Sequence, residues 1–559
     1  MRNFVTFRLN GDTRTLRDVS PTMTLLNYLR DIEALKGSKE GCAEGDCGAC
    51  TVVVGELSGG EVKYNAINAC IQFLPMLEGK SVYTIESMKV SGGGLHAIQQ
   101  VMVDEHGSQC GFCTPGVVMT MYASYLNGER LDAETAPEVL AGNLCRCTGY
   151  GPIAAAATRV GLLKMPEWEV QRLQEDRQWI WDRTDDETVE LKSGGQHFLS
   201  PGSGDDLAEC YAEHPDAVLI SGATDVGLWV TKAHRKLAAI IYLGRVQQVR
   251  NIEQREDRLI IGAGVSYSEA VDTISQLFPD FGEVIRRIGA RQVRNAGTIG
   301  GNVANGSPIG DTLPALIVLR AELVLRKLSE RRRLAVEKFF LDYGKQDREP
   351  GEFLESIEIP LPGPGATFKS YKVSKRFDQD ISAVCGCFAI NVVDGHVASV
   401  RIAFGGMAKV PARAKVTEAA LIGKPWTRET AKAASVALSQ DFTPISDMRA
   451  GADYRLRVAE NLLHRYFLET QLPLSDTRLV GAGATLAGAR QPSSLISDQE
   501  AQDGINGGVR ETRRHDSSHK HVSGEAVFVD DIKTPRDTLQ VYVAMSERAH
   551  ARINAMDLS

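Results

Sequence analysis

Apolar and polar residues alternate from Phe4 to Leu9, which puts Val5, Phe7 and Leu9 on one face, and Asn10-Gly11 follows. Period-two alternation describes a half-buried strand, and Asn-Gly closes tight hairpins, so the chain is expected to open on a β-hairpin. Past residue 110 the pattern becomes helical. Gly116 to Leu126 and Ala133 to Leu144 carry apolar residues at helix spacing, and Pro115 stands where a helix accepts proline, in its first turn. From about Phe198 short strands, helices and glycine-rich turns alternate. Ala217 to Gly227 reads as a buried strand running into a glycine turn, and Arg294 to Asp311 is denser still in small residues. Thr427 to Leu438 and Asp453 to Glu469 are expected to be amphipathic helices. No internal repeat interrupts this order. Residues 166–198, rich in Glu, Asp, Arg, Gln and Trp, read as a linker.

A chain of 559 residues accommodates three or four domains. Its 43% hydrophobic and 24% charged content is that of an ordinary globular chain, so only the charge balance narrows the function. A net charge of −8 argues against nonspecific nucleic-acid or anionic-membrane binding. The longest apolar runs are too short to span a bilayer. With no secretory signal at its start, the chain is expected to be cytoplasmic.

Eight of eleven cysteines fall in two groups. The first is Cys42-x4-Cys47-x2-Cys50 with Cys70 some way on, the plant-type ferredoxin spacing for a 2Fe–2S cluster. Gly41, Gly45 and Gly48 interleave with these ligands; a loop wrapped round an inorganic core needs positive φ and close approach of N–H to sulfur. A disulfide framework does not suit the compartment, and zinc is the rival metal. The second group, Cys110-x2-Cys113 with Cys145-Arg146-Cys147, suits zinc nearly as well when taken alone. The helical pattern between its pairs puts each pair at a helix end.

The two motifs, Gln-Cys-Gly-Phe-Cys-Thr-Pro and Asn-Leu-Cys-Arg-Cys-Thr-Gly-Tyr, following the ferredoxin-type loop, resemble the iron–sulfur domains of the molybdenum hydroxylases, the xanthine dehydrogenase and aldehyde oxidase group. The resemblance implies a multidomain α+β chain. A ferredoxin-like β-grasp domain would cover residues 1–90 and a helical 2Fe–2S bundle residues 91–165. After the linker at 166–197, a two-part α+β FAD-binding domain would cover 198–365, and a C-terminal α/β flavoprotein domain 366–475. Cys42, Cys47, Cys50 and Cys70 would hold one cluster, and Cys110, Cys113, Cys145 and Cys147 the other.

Neither glycine-rich segment is Gly-x-Gly-x-x-Gly, so a Rossmann site is not indicated; Gly262-Ala-Gly264 reads as a sheet element. By resemblance both segments carry FAD. Leu219, Ile220, Ser221, Gly222, Ala223, Thr224, Asp225 and Val226 would cradle the pyrophosphate. Thr298, Ile299, Gly300, Gly301 and Asn302 would make the second phosphate contact. Asp311 would bond the ribose or adenine end, Ile288 would flank the isoalloxazine, and Leu354 and Lys372 would complete the flavin contacts. Lys375 to Ile381 resembles a flavin-side segment of the family and equally reads as a solvated charged loop. Cys385 and Cys387 are expected to be buried core thiols, and Cys210 incidental.

The same resemblance orders the carriers as cluster, cluster, FAD, then NAD+ as acceptor. Residues 1 to about 475 resemble the small subunit of the family's bacterial members. Residues 476–559 read as a linker and then, from His521 to Ile532 and Ser546 to Ala551, as the opening of a molybdenum-binding domain. The family's later cofactor-binding and catalytic segments have no counterpart, so a molybdenum-binding large subunit, in a hetero-oligomer, is expected to supply that cofactor. No catalytic residue is nominated in this chain. The tail is expected to be disordered or docked on a partner, and the cluster His515, His519 and His521 to be solvated. Purine hydroxylation of the xanthine dehydrogenase type is the expected overall reaction. The alternatives are a hydroxylase for another heterocycle or aldehyde, and a non-catalytic iron–sulfur flavoprotein left by truncation.

Overall fold

A computed structural model describes residues 1–90, 92–363, 366–478, 514–539, 541, 543, 545, 548 and 550–556. The chain opens on the expected hairpin, β1 (Val5–Leu9) and β2 (Asp12–Leu16), paired so that Leu9 faces Asp12. Asn10 and Gly11 have φ of 52° and 97°, the left-handed pair that a two-residue turn requires. Thr51–Ser58 (β3), Glu61–Asn68 (β4) and Ser81–Tyr83 (β5) complete a five-stranded sheet in the order β2-β1-β5-β3-β4. Val5, Phe7 and Leu9 lie on its buried face with Val52 and Val54.

A helical unit follows: α1 (Ala97–Asp104), α2 (Thr114–Leu126), α3 (Ala136–Leu140) and α4 (Gly151–Val160). Pro115 sits in the first turn of α2, where its missing N–H costs no helix bond. The helix α2 is buried over its whole length, which explains its nearly continuous apolar sequence.

Residues 166–197, expected to link, are instead folded. Glu167–Trp181 forms α5, and Val189–Ser193 begins the next sheet. Glu169, Leu173, Asp176 and Ile180 share one face of α5 and are buried. Glu169 accepts from Tyr122 Oη at 2.8 Å and lies 3.1 Å from His96 Nε2, whereas Asp176 meets Arg8 at 3.3 Å, Tyr64 Oη at 3.2 Å and the Ser81 hydroxyl. The acidic residues that made this stretch look solvated are the groups that clamp it to both preceding units.

The flavoprotein half contains three larger sheets. The first runs Val189–Ser193, Gln196–Ser200, Ala239–Tyr242, Val218–Ile220. The second runs Ile252–Gln254, Arg258–Gly262, Phe353–Pro360, Glu322–Lys327, Glu330–Ala335. The third runs Ala366–Val373, Val384–Val393, His396–Gly405, Ala412–Arg413. Helices Arg428–Ser435 and Ala452–Gln471 pack on the third sheet, close to the two expected spans. Gly262 ends a strand, as its sheet reading required. Cys385 and Cys387 are fully buried on one strand.

The tail's Gly/Ala/Ser-rich stretch lies outside the described residues. Residues 514–532, expected to be disordered or docked on a partner, rest instead on this chain's own cysteine-bearing units. Val522 is buried in the helical core, and its carbonyl accepts from Gln99 Nε2 at 2.9 Å. Asp531 pairs with Lys39 at 2.7 Å and Arg30 at 2.9 Å. His521 is not solvated: it is buried, with Nδ1 2.9 Å from Ser108 Oγ. Packing of this segment against distant parts of the chain brings it inside.

Candidate cofactor sites

The first cysteine loop owes its path to glycine and to backbone donors. Gly45 and Gly48 have φ of 79° and 72°. A Cβ on Gly48 would stand 2.0 Å from the Gly142 carbonyl oxygen, and one on Gly41 2.8 Å from Cys47 Sγ. The backbone N–H groups of Asp46 and Cys47 donate to Cys42 Sγ at 3.4 and 3.3 Å. Contacts from the Cys47 and Cys70 thiols hold Cys42 well below the ordinary thiol range, and the same contacts push Cys47 and Cys70 up. Cys70 also meets Cys50, so all four thiols are joined.

The second set closes in the same way. Cys113 caps α2, while Cys145 and Cys147 lie between α3 and α4. Cys113 meets Cys145, and Cys110 meets Cys147. Burial pushes the Cys113 thiol up. Burial also works to raise Cys145, but the Thr148 hydroxyl at 3.2 Å and nearby N–H groups outweigh it, and that thiol is lowered. Among the described residues no trio of His, Cys, Asp or Glu converges on a single-ion site; the thiols meet pairwise in two sets of four. Donor chemistry, positive-φ glycines and N–H···S contacts all fit iron–sulfur ligation. The two loops touch directly, Leu144 N–H donating to the Cys47 carbonyl at 2.9 Å.

In the flavoprotein half, Leu219 to Val226 line a cavity of about 900 Å³ with Thr298, Gly301, Asn302 and Leu354. Thr298 caps the following helix, accepting from Gly301 N–H at 3.0 Å. A Cβ on Gly222 would lie 1.8 Å from the Ala296 carbonyl oxygen, so a side chain there would part the two glycine segments. Burial raises the Asp225 carboxyl, against the Trp229 indole N–H that donates to it at 3.1 Å. The cavity's size and its small-residue wall fit a dinucleotide. Ile299 and Gly300 stand behind the wall, Gly300 against Ala263. Ile288, Asp311 and Lys372 lie apart from it; Ile288 packs on the second sheet's core, and Asp311 and Lys372 pair with each other. Trp229 and Arg348, which sequence reading passed over, also line the cavity. For Trp229 a signal existed, since Asp225-x3-Trp229 is one helical turn.

The charged run Lys375 to Ile381 contributes nothing to the lining of that cavity. Phe377 and Ile381 are exposed, with the Arg287 guanidinium 4.4 Å from the Phe377 ring centre, while Arg376 and Asp380 act on Asp46 of the first cysteine loop. No helix among the described residues is long and apolar enough to cross a membrane.

Two sets of four cysteines suited to 2Fe–2S ligation, in one chain with a flavin-type cavity, are the parts of an iron–sulfur flavoprotein. Family models match in that order: "2Fe-2S iron-sulfur cluster binding domain" at residues 7–73 and "[2Fe-2S] binding domain" at 84–158. "FAD binding domain in molybdopterin dehydrogenase" follows at 192–362, and "CO dehydrogenase flavoprotein C-terminal domain" at 369–470. The chain belongs to the molybdenum hydroxylase family, as its iron–sulfur/FAD portion. It is similar to xanthine dehydrogenase of Emericella nidulans (32% identity, 98% of this chain, 45% of that protein) and to xanthine dehydrogenase 1 of Arabidopsis thaliana (30%, 98% and 46%). It thus spans about half the length of the curated relatives it matches. Among solved structures it is similar to carbon monoxide dehydrogenase from Hydrogenophaga pseudoflava lacking the Mo-pyranopterin moiety of the molybdenum cofactor (27% identity, TM-score 0.46, 48% of this chain, 94% of that one). Quinoline 2-oxidoreductase from Pseudomonas putida 86 is similar over the same shares at 24% identity, with a TM-score of 0.45.

Proposed function

We propose that this chain is the electron-transfer part of a xanthine dehydrogenase, passing electrons from a molybdenum centre on a partner chain to FAD and then to NAD+. The observation that carries the reading is the adjacency of the two thiol sets, joined by the Leu144 N–H to Cys47 carbonyl bond, in one chain with the flavin-type cavity. When bound, the clusters supply one-electron transfer and the flavin the exchange between single electrons and pairs.

The chain's own residues hold and insulate these groups. Cys42, Cys47, Cys50 and Cys70 take one cluster, and Cys110, Cys113, Cys145 and Cys147 the other. N–H groups of Asp46 and Cys47 aim at the Cys42 sulfur, an arrangement that favours extra negative charge there. Ser221 to Asp225, with Thr298, Gly301 and Asn302, present backbone and small side chains to the FAD pyrophosphate, and Leu354 adds an apolar wall. No general acid or base in this chain is needed, because bond making at the substrate belongs to the molybdenum-bearing chain. Cytoplasmic residence and a hetero-oligomer with a large subunit complete the proposal.

The test is to purify the protein from its host through a tag on this chain and measure iron, flavin and molybdenum. Four irons and one flavin per chain, molybdenum arriving with a second polypeptide, and flavin reduction by NADH are the expected results. Iron and flavin that NADH does not reduce would reject the NAD+ assignment. Absence of molybdenum from every preparation would reject the partner.

A further inference from the structure

Between the two cysteine loops lies a hydrogen-bonded group of four polar side chains from three parts of the chain, with Gln292 Oε1 left without a partner. Thr51 follows Cys50, Asn143 precedes Cys145 by two residues, Thr120 lies on α2 below Cys113, and Gln292 comes from the flavin-binding half. None is more than 2% exposed. Gln292 Nε2 donates to Asn143 Oδ1 and Thr120 Oγ1, each at 3.1 Å, and reaches Thr51 Oγ1 at 3.4 Å. Thr120 Oγ1 donates to Asn143 Oδ1 at 2.7 Å. Asn143 Nδ2 in turn donates to the Gly48 carbonyl at 3.0 Å, which also accepts from Thr51 Oγ1 at 2.6 Å.

Around this group the backbones meet without side chains to hold them apart. A Cβ on Gly116 would come within 2.2 Å of the Gly48 carbonyl oxygen, and one on Gly142 within 1.8 Å of Gln292 Oε1. Glycine contacts of this kind permit close approach but fix no distance. Hydrogen bonds with defined lengths do. Gln292 reaches both loops from outside them, and it takes no part in the wall of the flavin-type cavity.

We infer that Gln292 is a positioning residue that sets the separation of the two iron–sulfur sites. Its carboxamide ties Thr51, beside the first set, to Asn143 and Thr120, beside the second, and anchors both to the flavin-binding half. This rests on the proposed ligation of two clusters. Removing the donor leaves Asn143 Oδ1 short of one partner in a dry site and frees the loops to shift.

Fully reduced holoprotein reports the separation through the magnetic interaction of its two paramagnetic clusters, read as splitting of their electron paramagnetic resonance signals. The variants are Gln292→Met, which keeps length without the donor, Thr120→Val, and the double variant. The expected result is wild-type iron and flavin with the splitting lost or diminished in Gln292→Met, and a double variant no worse than the worse single one, as one network requires. Unchanged splitting in Gln292→Met overturns the inference. So does iron loss from Gln292→Met while Thr120→Val keeps its iron and full splitting, since that describes a mere fold support. Wild-type protein with two cluster signals and no splitting overturns it too. Wild-type protein lacking two cluster signals overturns the ligation itself, which separates the two failures.

Discussion

Lys372 Nζ stands 2.6 Å from Asp311 Oδ2, both side chains almost wholly out of water, and Ser382 Oγ donates to the other carboxylate oxygen at 2.5 Å. Lys372 lies on the first strand of the third sheet, and Asp311 directly before helix Thr312–Val318, so the pair joins two layers of the flavoprotein half. Breaking one partner strands a buried charge. Asp311→Asn is therefore expected to destabilise this half by about 3–5 kcal/mol. Urea unfolding of the holoprotein, followed through flavin fluorescence, measures the loss. A change under 1 kcal/mol would count against the pair.

Gly48→Ala places a methyl group against the Gly142 carbonyl in a loop whose φ is 72°. Gly60 has φ of 82° but open space around its Cβ position. Both substitutions carry backbone strain of about 1–3 kcal/mol, yet only the first obstructs a ligand loop. Iron analysis should show depletion in Gly48→Ala and full content in Gly60→Ala.

Replacing Cys113 with Ser is expected to halve the iron content and leave flavin intact. Cys387→Ala removes a fully buried thiol from the third sheet's core and should lower stability without removing iron. Loss of iron from the Cys387 variant would reassign the strand pair Cys385 and Cys387.

Glu56 lies between Lys80 at 2.7 Å and Arg250 at 3.6 Å, where the first sheet meets the flavin-binding half. Burial works to raise its carboxyl, but the two cations prevail and bring it down to about 2. A depressed native value means that the unfolded chain binds the extra proton first as pH falls. The stabilisation is complete above the ordinary glutamate value and is lost as pH falls through the native one, a total on the order of 3 kcal/mol. The stability gap between wild type and Glu56→Gln should hold from pH 7 to pH 5 and close towards pH 2 in urea titrations. A gap independent of pH would remove the ion pair as its cause.

Asp531→Ala cuts the tail's links to Lys39 and Arg30, and Phe528, 5.5 Å from Phe112 between ring centres, loses its support. Limited proteolysis should then cleave between residues 514 and 532 faster than in wild type. Equal rates would show that Val522 and His521 hold the tail unaided.

Several features were legible along the chain because they depend on neighbouring residues. Asn10-Gly11 dictates its turn through left-handed backbone angles, Pro115 its helix start through a missing donor, and the cysteine spacings bring thiols together within one or two loops. Leu219 to Val226 and Thr298 to Asn302 read as a FAD site only through the family resemblance, since glycine-rich turns taken alone are ordinary turns. Which of them face the cavity is another matter: Gly301 does and Gly300 does not, because one helical step turns the latter against Ala263.

What the sequence by itself determined is therefore local: turns, caps, strand faces, ligand spacings and the order of the cofactor-binding units. The tertiary structure alone decided which distant polar groups meet. Glu169 and Asp176 turned an apparent linker into a clamp, His521 left solvent for Ser108, Asp311 took Lys372, and Gln292 entered the seam between the cysteine loops. A buried polar side chain must find a partner or lose several kcal/mol. Its own sequence neighbourhood carries that demand but does not name the partner, which depends on which surfaces come together when the whole chain packs.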